Sequence, residues 1–312
     1  MKLAKYETFQ VIELKQYKSE LERFLSKYEA KHTHRRYTFV LNALYDYIVS
    51  YNIQYLDQLD FDFFTNYKKH LLKTKSETTV SNAFSIIRKF FNFLVTRGKL
   101  VRNESLEVTT TRPSTQDAYI ALTREEVFTL KETALGSTQY DLMNQIILIL
   151  GFNLGMRREE IVNLKHSNIE KRNGGYSISI TGKGRKKRTG ALDTLTGDIL
   201  ITLIKDYENL TGVKFTRNDY VVQSSTDEKK NKKPMDASSL YRRFKRLVEK
   251  SGIEKEVSPH SMRATLATAL YGNGYDISKI QRVLGHEDQK TTMNYIKEDV
   301  DYKNAIEMAS GL

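Results

Sequence analysis

Hydrophobic residues recur at three- and four-residue spacings along most of the first hundred positions. This spacing gives each of several predicted helices one apolar stripe. The stripes begin near Leu14 and Tyr37, and two further helices are predicted over residues 60–72 and 76–96, the last with Ser76 as its cap. Because no strand-like alternation and only one glycine occur before residue 100, this half is predicted to be a bundle of about four helices.

The periodicity stops between Gly98 and Tyr119, where the string VRNESLEVTTTRPSTQD is rich in serine and threonine and contains a proline. This composition predicts an extended linker. We therefore expect a helical domain over residues 1–105, a linker over 106–118 and a second domain over 119–312.

The second half mixes helices with a β-hairpin. A capped helix is predicted to begin at Thr123, and a very apolar helix follows over about residues 140–154. An alternating YSISI string, a TGKGR turn and a short extended stretch, all within residues 176–192, predict the hairpin. Helices resume from about Leu195, with a polar loop at 227–233. The fold class is therefore mainly α with a small β-hairpin or sheet.

Composition narrows the class of protein. The 312 residues include 50 Lys plus Arg and 38 Asp plus Glu, so the net charge is +12. Such an excess favours a polyanionic partner, although a basic surface that only aids solubility has the same composition. The longest aliphatic run, at 146–150, is far below the ~20 residues of a membrane-spanning helix, so we expect no membrane partner.

The sequence contains no cysteine, which excludes disulfides, thiolate metal sites and cysteine nucleophiles. Its N-terminus has no apolar stretch followed by a small-residue cleavage site. We therefore expect a cytoplasmic protein.

Four places in the second domain put cationic or polar side chains at the ends of regular elements, where side chains and free backbone amides converge on anions. Arg157 comes two residues after Gly155 and begins a helix, with Glu160 three residues on to orient it or to cap the helix. Lys183 lies between two glycines of the hairpin turn. The string SPHSMR begins another helix, with His260 and Arg263 on one face.

The fourth place follows a helix that is predicted to end at Gly285. His286 comes next, and Thr291 and Thr292 open a helix that carries Tyr295. Considered singly, each of these places has an ordinary structural explanation: a surface arginine, a basic hairpin tip, an incidental histidine or a packing tyrosine.

Together and in this order, the strings GMRREEIVNL, TGKGRKKR, SPHSMR and LGHEDQKTTMNY resemble the tyrosine recombinase (phage integrase) family, which includes the Xer recombinases and many mobile-element integrases. The first half is similar to the family's core-binding, SAM-like domain, and residues 118–312 to its catalytic domain. The resemblance implies a two-domain, C-shaped DNA clamp. It carries over six site residues, Arg157, Lys183, His260, Arg263, His286 and Tyr295. Ala264 and Glu104, where the family often has histidine and proline, leave the subfamily open.

The resemblance also implies the chemistry, which is site-specific recombination through a covalent 3′-phosphotyrosyl intermediate with Tyr295 as nucleophile. The two arginines would supply bidentate donors to the non-bridging phosphate oxygens. Lys183 would protonate the leaving 5′ oxygen. Either His260 or His286 would accept the tyrosine proton or hold the phosphate. No cofactor and no catalytic metal are expected.

The implied partners are double-stranded DNA with inverted-repeat core sites and further copies of the chain, as a homo-tetramer on two DNA sites. An accessory protein or a DNA translocase is a further candidate partner. Residues 300–312 resemble the family's C-terminal helix that docks on a neighbouring protomer, unless this tail packs on its own domain. Only about 13 residues precede the first helix, so we expect no separate arm-binding domain.

The biological role stays open between integration or excision of a mobile element and resolution of DNA multimers. Two alternative functions use the same scaffold or chemistry. One is relaxation of supercoils by an enzyme like a type IB topoisomerase. The other is a DNA-binding regulator without catalysis.

Overall fold

The structure is a computed structural model and describes residues 13–111, 120–182, 184, 186–224, 234–285 and 292–293. The chain separates into two compact units, Met1–Ser114 and Thr115–Leu312. The domain limits expected from the sequence stay a prediction. Within the described ranges, every helix is too short or too polar to cross a bilayer.

The described part of the first unit contains four α-helices: α1 (Tyr17–Leu25), α2 (Lys31–Ser50), α3 (Phe61–Leu72) and α4 (Glu77–Thr96). The predicted starts of α3 and α4 are confirmed by their caps. Asp60 accepts a hydrogen bond from the Phe63 N–H at 2.8 Å, and Ser76 accepts one from the Thr79 N–H at 3.3 Å. The helical bundle predicted for this half is therefore correct.

Aromatic side chains form much of the core of the first unit. Phe84 and Phe90 on α4 are fully buried. The Phe90 ring meets Tyr17 and Phe24 edge to face, with centroids 5.2 and 5.3 Å apart. Tyr17 is also buried, and its hydroxyl donates to the Leu41 carbonyl at 2.8 Å. These contacts join α1, α2 and α4 around one centre.

The stretch after α4 is anchored to that helix, which differs from the extended segment expected there. Arg88 donates from Nε to the Ser105 carbonyl at 3.2 Å and from Nη2 to the Val108 carbonyl at 2.6 Å. Ser105 and Val108 are both buried. A side chain of α4 thus satisfies two backbone carbonyls of this irregular stretch in place of helical hydrogen bonds.

The described part of the second unit combines helices with a small sheet. Its elements are α5 (Arg124–Thr133), α6 (Gln139–Phe152), α7 (Arg158–Val162), β1 (Ile169–Arg172), β2 (Gly175–Thr181), β3 (Lys187–Asp193), α8 (Thr194–Thr211), α9 (Ala237–Ser251), α10 (Pro259–Gly272) and α11 (Ile277–Leu284). The predicted cap at Thr123 is confirmed, since its hydroxyl accepts from the Glu126 N–H. The polar loop predicted at 227–233 lies outside the described residues.

The sheet has the antiparallel order β1–β2–β3. The predicted hairpin corresponds to β2 and β3, where Ile178 pairs with Gly190 and Ile180 with Arg188. The third strand, β1, was not predicted. Only Ile169 of its four residues is apolar, and the other three are exposed, so no alternation marks it as a strand.

A glycine after α6 brings the following loop close to two other helices. Gly155 has a φ of +55°, and a Cβ there would come within 2.7 Å of Leu284 and 2.9 Å of Leu266. Both the left-handed backbone and the close approach require a residue without a side chain. The loop that leads to Arg157 is thereby placed against α10 and α11.

Candidate active site

Arg157 is held at the start of α7 by Glu160. Its Nη1 donates to Glu160 Oε1 at 2.7 Å, and its backbone N–H donates to Oε2 at 3.0 Å. Burial alone raises the pKa of Glu160, but the neighbouring Arg188 guanidinium and the hydrogen bonds from Arg157 lower that pKa below its ordinary value. The carboxylate therefore stays ionised, and the sequence prediction that Glu160 orients Arg157 is confirmed.

Arg263, on the second turn of α10, is completely buried. Its Nη1 donates to the Gly155 carbonyl and its Nη2 to the Leu284 carbonyl, both at 2.5 Å. Arg157 donates from Nη2 to the next carbonyl, that of Gly285, at 3.2 Å. The two predicted arginines thus meet at the C-terminal end of α11, where helix carbonyls carry partial negative charge.

His260 lies one turn before Arg263 on α10. Burial, followed by the positive charges of Arg158, Arg263 and Arg157, lowers the pKa of His260 from 6.5 to about 4. The imidazole is therefore neutral at pH 7 and has a nitrogen able to accept a proton. Within the part of the chain that the structure describes, no cluster of His, Asp and Glu is suited to hold a metal ion.

The hairpin ends beside the Arg157–Glu160 pair. A Cβ added to Gly182 would lie 3.2 Å from Glu160 Oε1 and 3.9 Å from Arg157 Nη1. The Gly182 N–H donates a hydrogen bond to the Lys186 carbonyl at 2.7 Å, which closes the turn between these two residues. The base of the predicted basic turn is therefore adjacent to the paired arginine.

Three of the six predicted site residues, Lys183, His286 and Tyr295, lie outside the described residues. The structure brings the other three, Arg157, His260 and Arg263, into one site. Of the predicted helix that begins at Thr291 and carries Tyr295, only Thr292 and Met293 are described, and both are helical. The tail at 300–312 also lies outside the described part.

Arg188 on β3, which is not among the six residues predicted from the sequence, also contacts Glu160. Its Nη2 donates to Glu160 Oε2 at 3.0 Å, and only 12% of its side chain is exposed. The alternation in the sequence marks the face of Ile180 as buried, but the strand register is needed to place Arg188 on that face. Arg188 pairs with Ile180, whose side chain is buried, and paired residues point to the same face of a sheet.

The profile of the phage integrase family matches residues 121–301, which is more than half of the chain. This chain belongs to the phage integrase family. The profile of the phage integrase SAM-like domain matches residues 13–108. The predicted family is therefore confirmed, and the chain is a site-specific tyrosine recombinase that cleaves and rejoins DNA.

Curated relatives of this recombinase include Xer proteins. Tyrosine recombinase XerD of Halalkalibacterium halodurans is 30% identical over 234 residues, which cover 74% of each chain. Tyrosine recombinase XerC of Staphylococcus carnosus is 25% identical over 283 residues, 89% of each chain. The Xer-like character expected from the motifs is confirmed by these matches.

Solved structures show the same fold. The XerH recombinase bound to a palindromic difH substrate in a post-cleavage complex superposes with a TM-score of 0.71 at 21% identity, over 94% of this recombinase and 84% of that chain. A lambda integrase tetramer bound to a Holliday junction superposes with a TM-score of 0.70 at 15% identity, over 92% and 78%. The predicted fold class, mainly α with a small sheet in a two-domain recombinase, is confirmed.

Proposed function

We propose that Tyr295 is the nucleophile of this recombinase and that Arg157, Lys183, His260, Arg263 and His286 complete its active site. The tyrosine oxygen attacks the scissile phosphorus, a phosphotyrosyl bond to the DNA 3′ end forms, and the bond to the 5′ oxygen breaks. Lys183 gives a proton to that leaving oxygen, while His260 or His286 accepts the tyrosine proton. A 5′ hydroxyl of the partner strand then reverses these steps and releases the tyrosine.

The observation that carries this proposal is the pairing of two guanidinium groups on adjacent carbonyls. Arg157 binds the Gly285 carbonyl and Arg263 binds the Leu284 carbonyl. Negative charge grows on the non-bridging oxygens of the phosphate during attack, and fixed cationic donors stabilise that charge. Arginine is suited to this role because its guanidinium does not lose its proton near neutral pH.

His260 supports the same proposal as a proton acceptor. It is neutral at pH 7 because its pKa is lowered to about 4 by burial and by nearby arginines. A bound phosphate would bring negative charge to this cationic pocket and raise the basicity of the imidazole when the substrate arrives.

We propose double-stranded DNA with inverted-repeat core sites as the substrate and a homo-tetramer on two such sites as the active assembly. The net charge of +12 supports a polyanionic substrate. The XerH structure holds a palindromic DNA substrate, and the lambda integrase tetramer holds a Holliday junction. Because the substrate is DNA, we propose that this recombinase works in the cytoplasm on the nucleoid, with an accessory protein or a DNA translocase as a candidate partner.

The test uses nicked suicide duplexes made from the DNA that flanks the gene, which trap a covalent complex because the cleaved fragment diffuses away. We expect wild-type protein to form a denaturant-resistant adduct and Tyr295→Phe to form none while binding the same duplex. Tight binding without an adduct would favour the regulator without catalysis. Relaxation of a plasmid that lacks any recombination site would favour the topoisomerase-like alternative.

A further inference from the structure

Arg188 connects β3 to three other parts of the candidate site. Its Nη1 donates to the Val283 carbonyl of α11 at 2.9 Å, and its Nη2 donates to Glu160 Oε2 at 3.0 Å. Both nitrogens also reach the Leu154 carbonyl, at 3.4 and 3.3 Å, in the loop that leads to Arg157. One guanidinium therefore spans the hairpin, the Arg157 loop and the end of α11.

Three arginines occupy three consecutive carbonyls at this end of α11. Arg188 binds the carbonyl of Val283, Arg263 that of Leu284, and Arg157 that of Gly285. The last carbonyls of a helix have no partner within the helix and carry partial negative charge, so cationic donors stabilise them. The sequence continues from this point into His286.

Arg188 differs from Arg157 in how much of it is accessible. The Arg188 side chain is 12% exposed, whereas that of Arg157 is 29% exposed. The Glu160 side chain between them is 3% exposed. The Arg188 side chain also packs closely against the backbone of Gly285, since a Cβ added to Gly285 would come within 2.7 Å of Arg188 Cδ. Arg188 is thus held by internal contacts, to Glu160 and to the Val283 carbonyl.

We propose that Arg188 is a positioning residue of the recombination reaction. It holds Glu160, which orients Arg157, and it holds the end of α11, to which Arg157 and Arg263 are bound. This inference rests on the proposed function, because it assigns Arg188 a role in presenting Arg157 to the scissile phosphate. Arg188 itself does not touch the phosphate.

The guanidinium fork matters because Arg188 binds separate acceptors in different directions. A lysine at this position would keep the charge but would present one ammonium group in place of the planar fork. Glutamine would keep part of the stem and one donor without the charge. Since a displacement of about 1 Å in an active site can cost about a hundredfold in rate, we expect Arg188→Gln to slow cleavage by about tenfold to a hundredfold. Arg188→Lys should lie between it and the wild type.

The experiment measures single-turnover adduct formation and DNA affinity on the same suicide duplex. Arg172→Gln is the matched control, because Arg172 is an arginine of the same sheet whose side chain is 66% exposed. We expect both Gln variants and Arg188→Lys to bind the duplex with the wild-type affinity, and only the Arg188 variants to cleave slowly. Wild-type cleavage by Arg188→Gln, or by Arg188→Lys if the Gln variant does not fold, would overturn the inference.

A second substrate separates positioning from a general loss of structure. In a methylphosphonate duplex one non-bridging oxygen of the scissile phosphate is replaced by a methyl group, which removes the charge that Arg157 would neutralise. If Arg188 acts through Arg157, the gap between wild type and Arg188→Gln should shrink several-fold on this duplex. An equal gap on both duplexes would overturn the inference. A wild-type protein that forms no adduct would instead refute the proposed function itself.

Discussion

Arg157 and Glu160 hold each other by two separate hydrogen bonds, one from the guanidinium at 2.7 Å and one from the backbone N–H at 3.0 Å. The carboxylate thus fixes both the side chain and the backbone of the arginine at the start of α7. Ordering the guanidinium in advance lowers the entropic cost of binding an anion there.

Removal of the Glu160 charge should destabilise the folded protein. Glu160→Gln keeps the size of the side chain but leaves Arg157 and Arg188 without their shared anion. Because Glu160 is buried, we expect a loss of about 3 kcal/mol in the free energy of unfolding. Denaturant unfolding checks this. Glu159→Gln is the control, since its side chain is 64% exposed, and an equal loss in both variants would contradict the expected role of the buried carboxylate.

Local structure could be predicted wherever contacts between near neighbours in the sequence decide it. Ser76 and Thr123 are caps in the structure as they were in the sequence pattern, and Glu160 orients Arg157 as its spacing indicated. Each of these contacts joins residues three apart, a distance that helix geometry determines without knowledge of the rest of the fold.

Contacts between distant segments could not be predicted in the same way. Arg188 reaches Val283, 95 positions later, and Arg157 reaches Gly285, 128 positions later. Nothing in the string TGKGRKKR separates the buried Arg188 from the neighbouring cations until the strand register is known. The arginines meet at the end of α11 because of tertiary packing, which local periodicity in the sequence does not predict.

Gly155 should be far less tolerant of substitution than a glycine with space around it. Gly155→Ala places a Cβ within 2.7 Å of Leu284 at a φ of +55°, whereas Gly252→Ala meets nothing within 4 Å at a φ of +74°. We expect the first change to cost more than about 2 kcal/mol of unfolding free energy and the second about 1 kcal/mol. Thermal unfolding compares the two, and equal losses would show that close packing at Gly155 contributes nothing.

Arg88 should control the stability of the segment that follows α4. Arg88→Ala removes its hydrogen bonds to the carbonyls of Ser105 and Val108, and we expect a loss of about 2 kcal/mol. A protease that cuts after glutamate should then cleave at Glu104 and Glu107 faster than in the wild type. Arg35→Ala, on an exposed site of α2, is the control. Unchanged cleavage in Arg88→Ala would mean that other contacts hold the segment.

His260 should make this recombinase sensitive to acid. Burial and the nearby arginines lower its pKa from 6.5 to about 4, so between these two values the unfolded chain binds a proton that the folded chain does not. Stability that is complete above pH 6.5 is therefore lost as the pH falls towards 4, by about 3 kcal/mol.

The measurement compares denaturant unfolding of wild type and His260→Asn between pH 7 and pH 4. Because asparagine takes up no proton, we expect the variant to lose about 3 kcal/mol less than the wild type over this range. His32→Asn, which removes an exposed histidine of α2, controls for the loss of one histidine. If wild type and His260→Asn lose the same stability over this range, the surroundings of His260 do not lower its pKa.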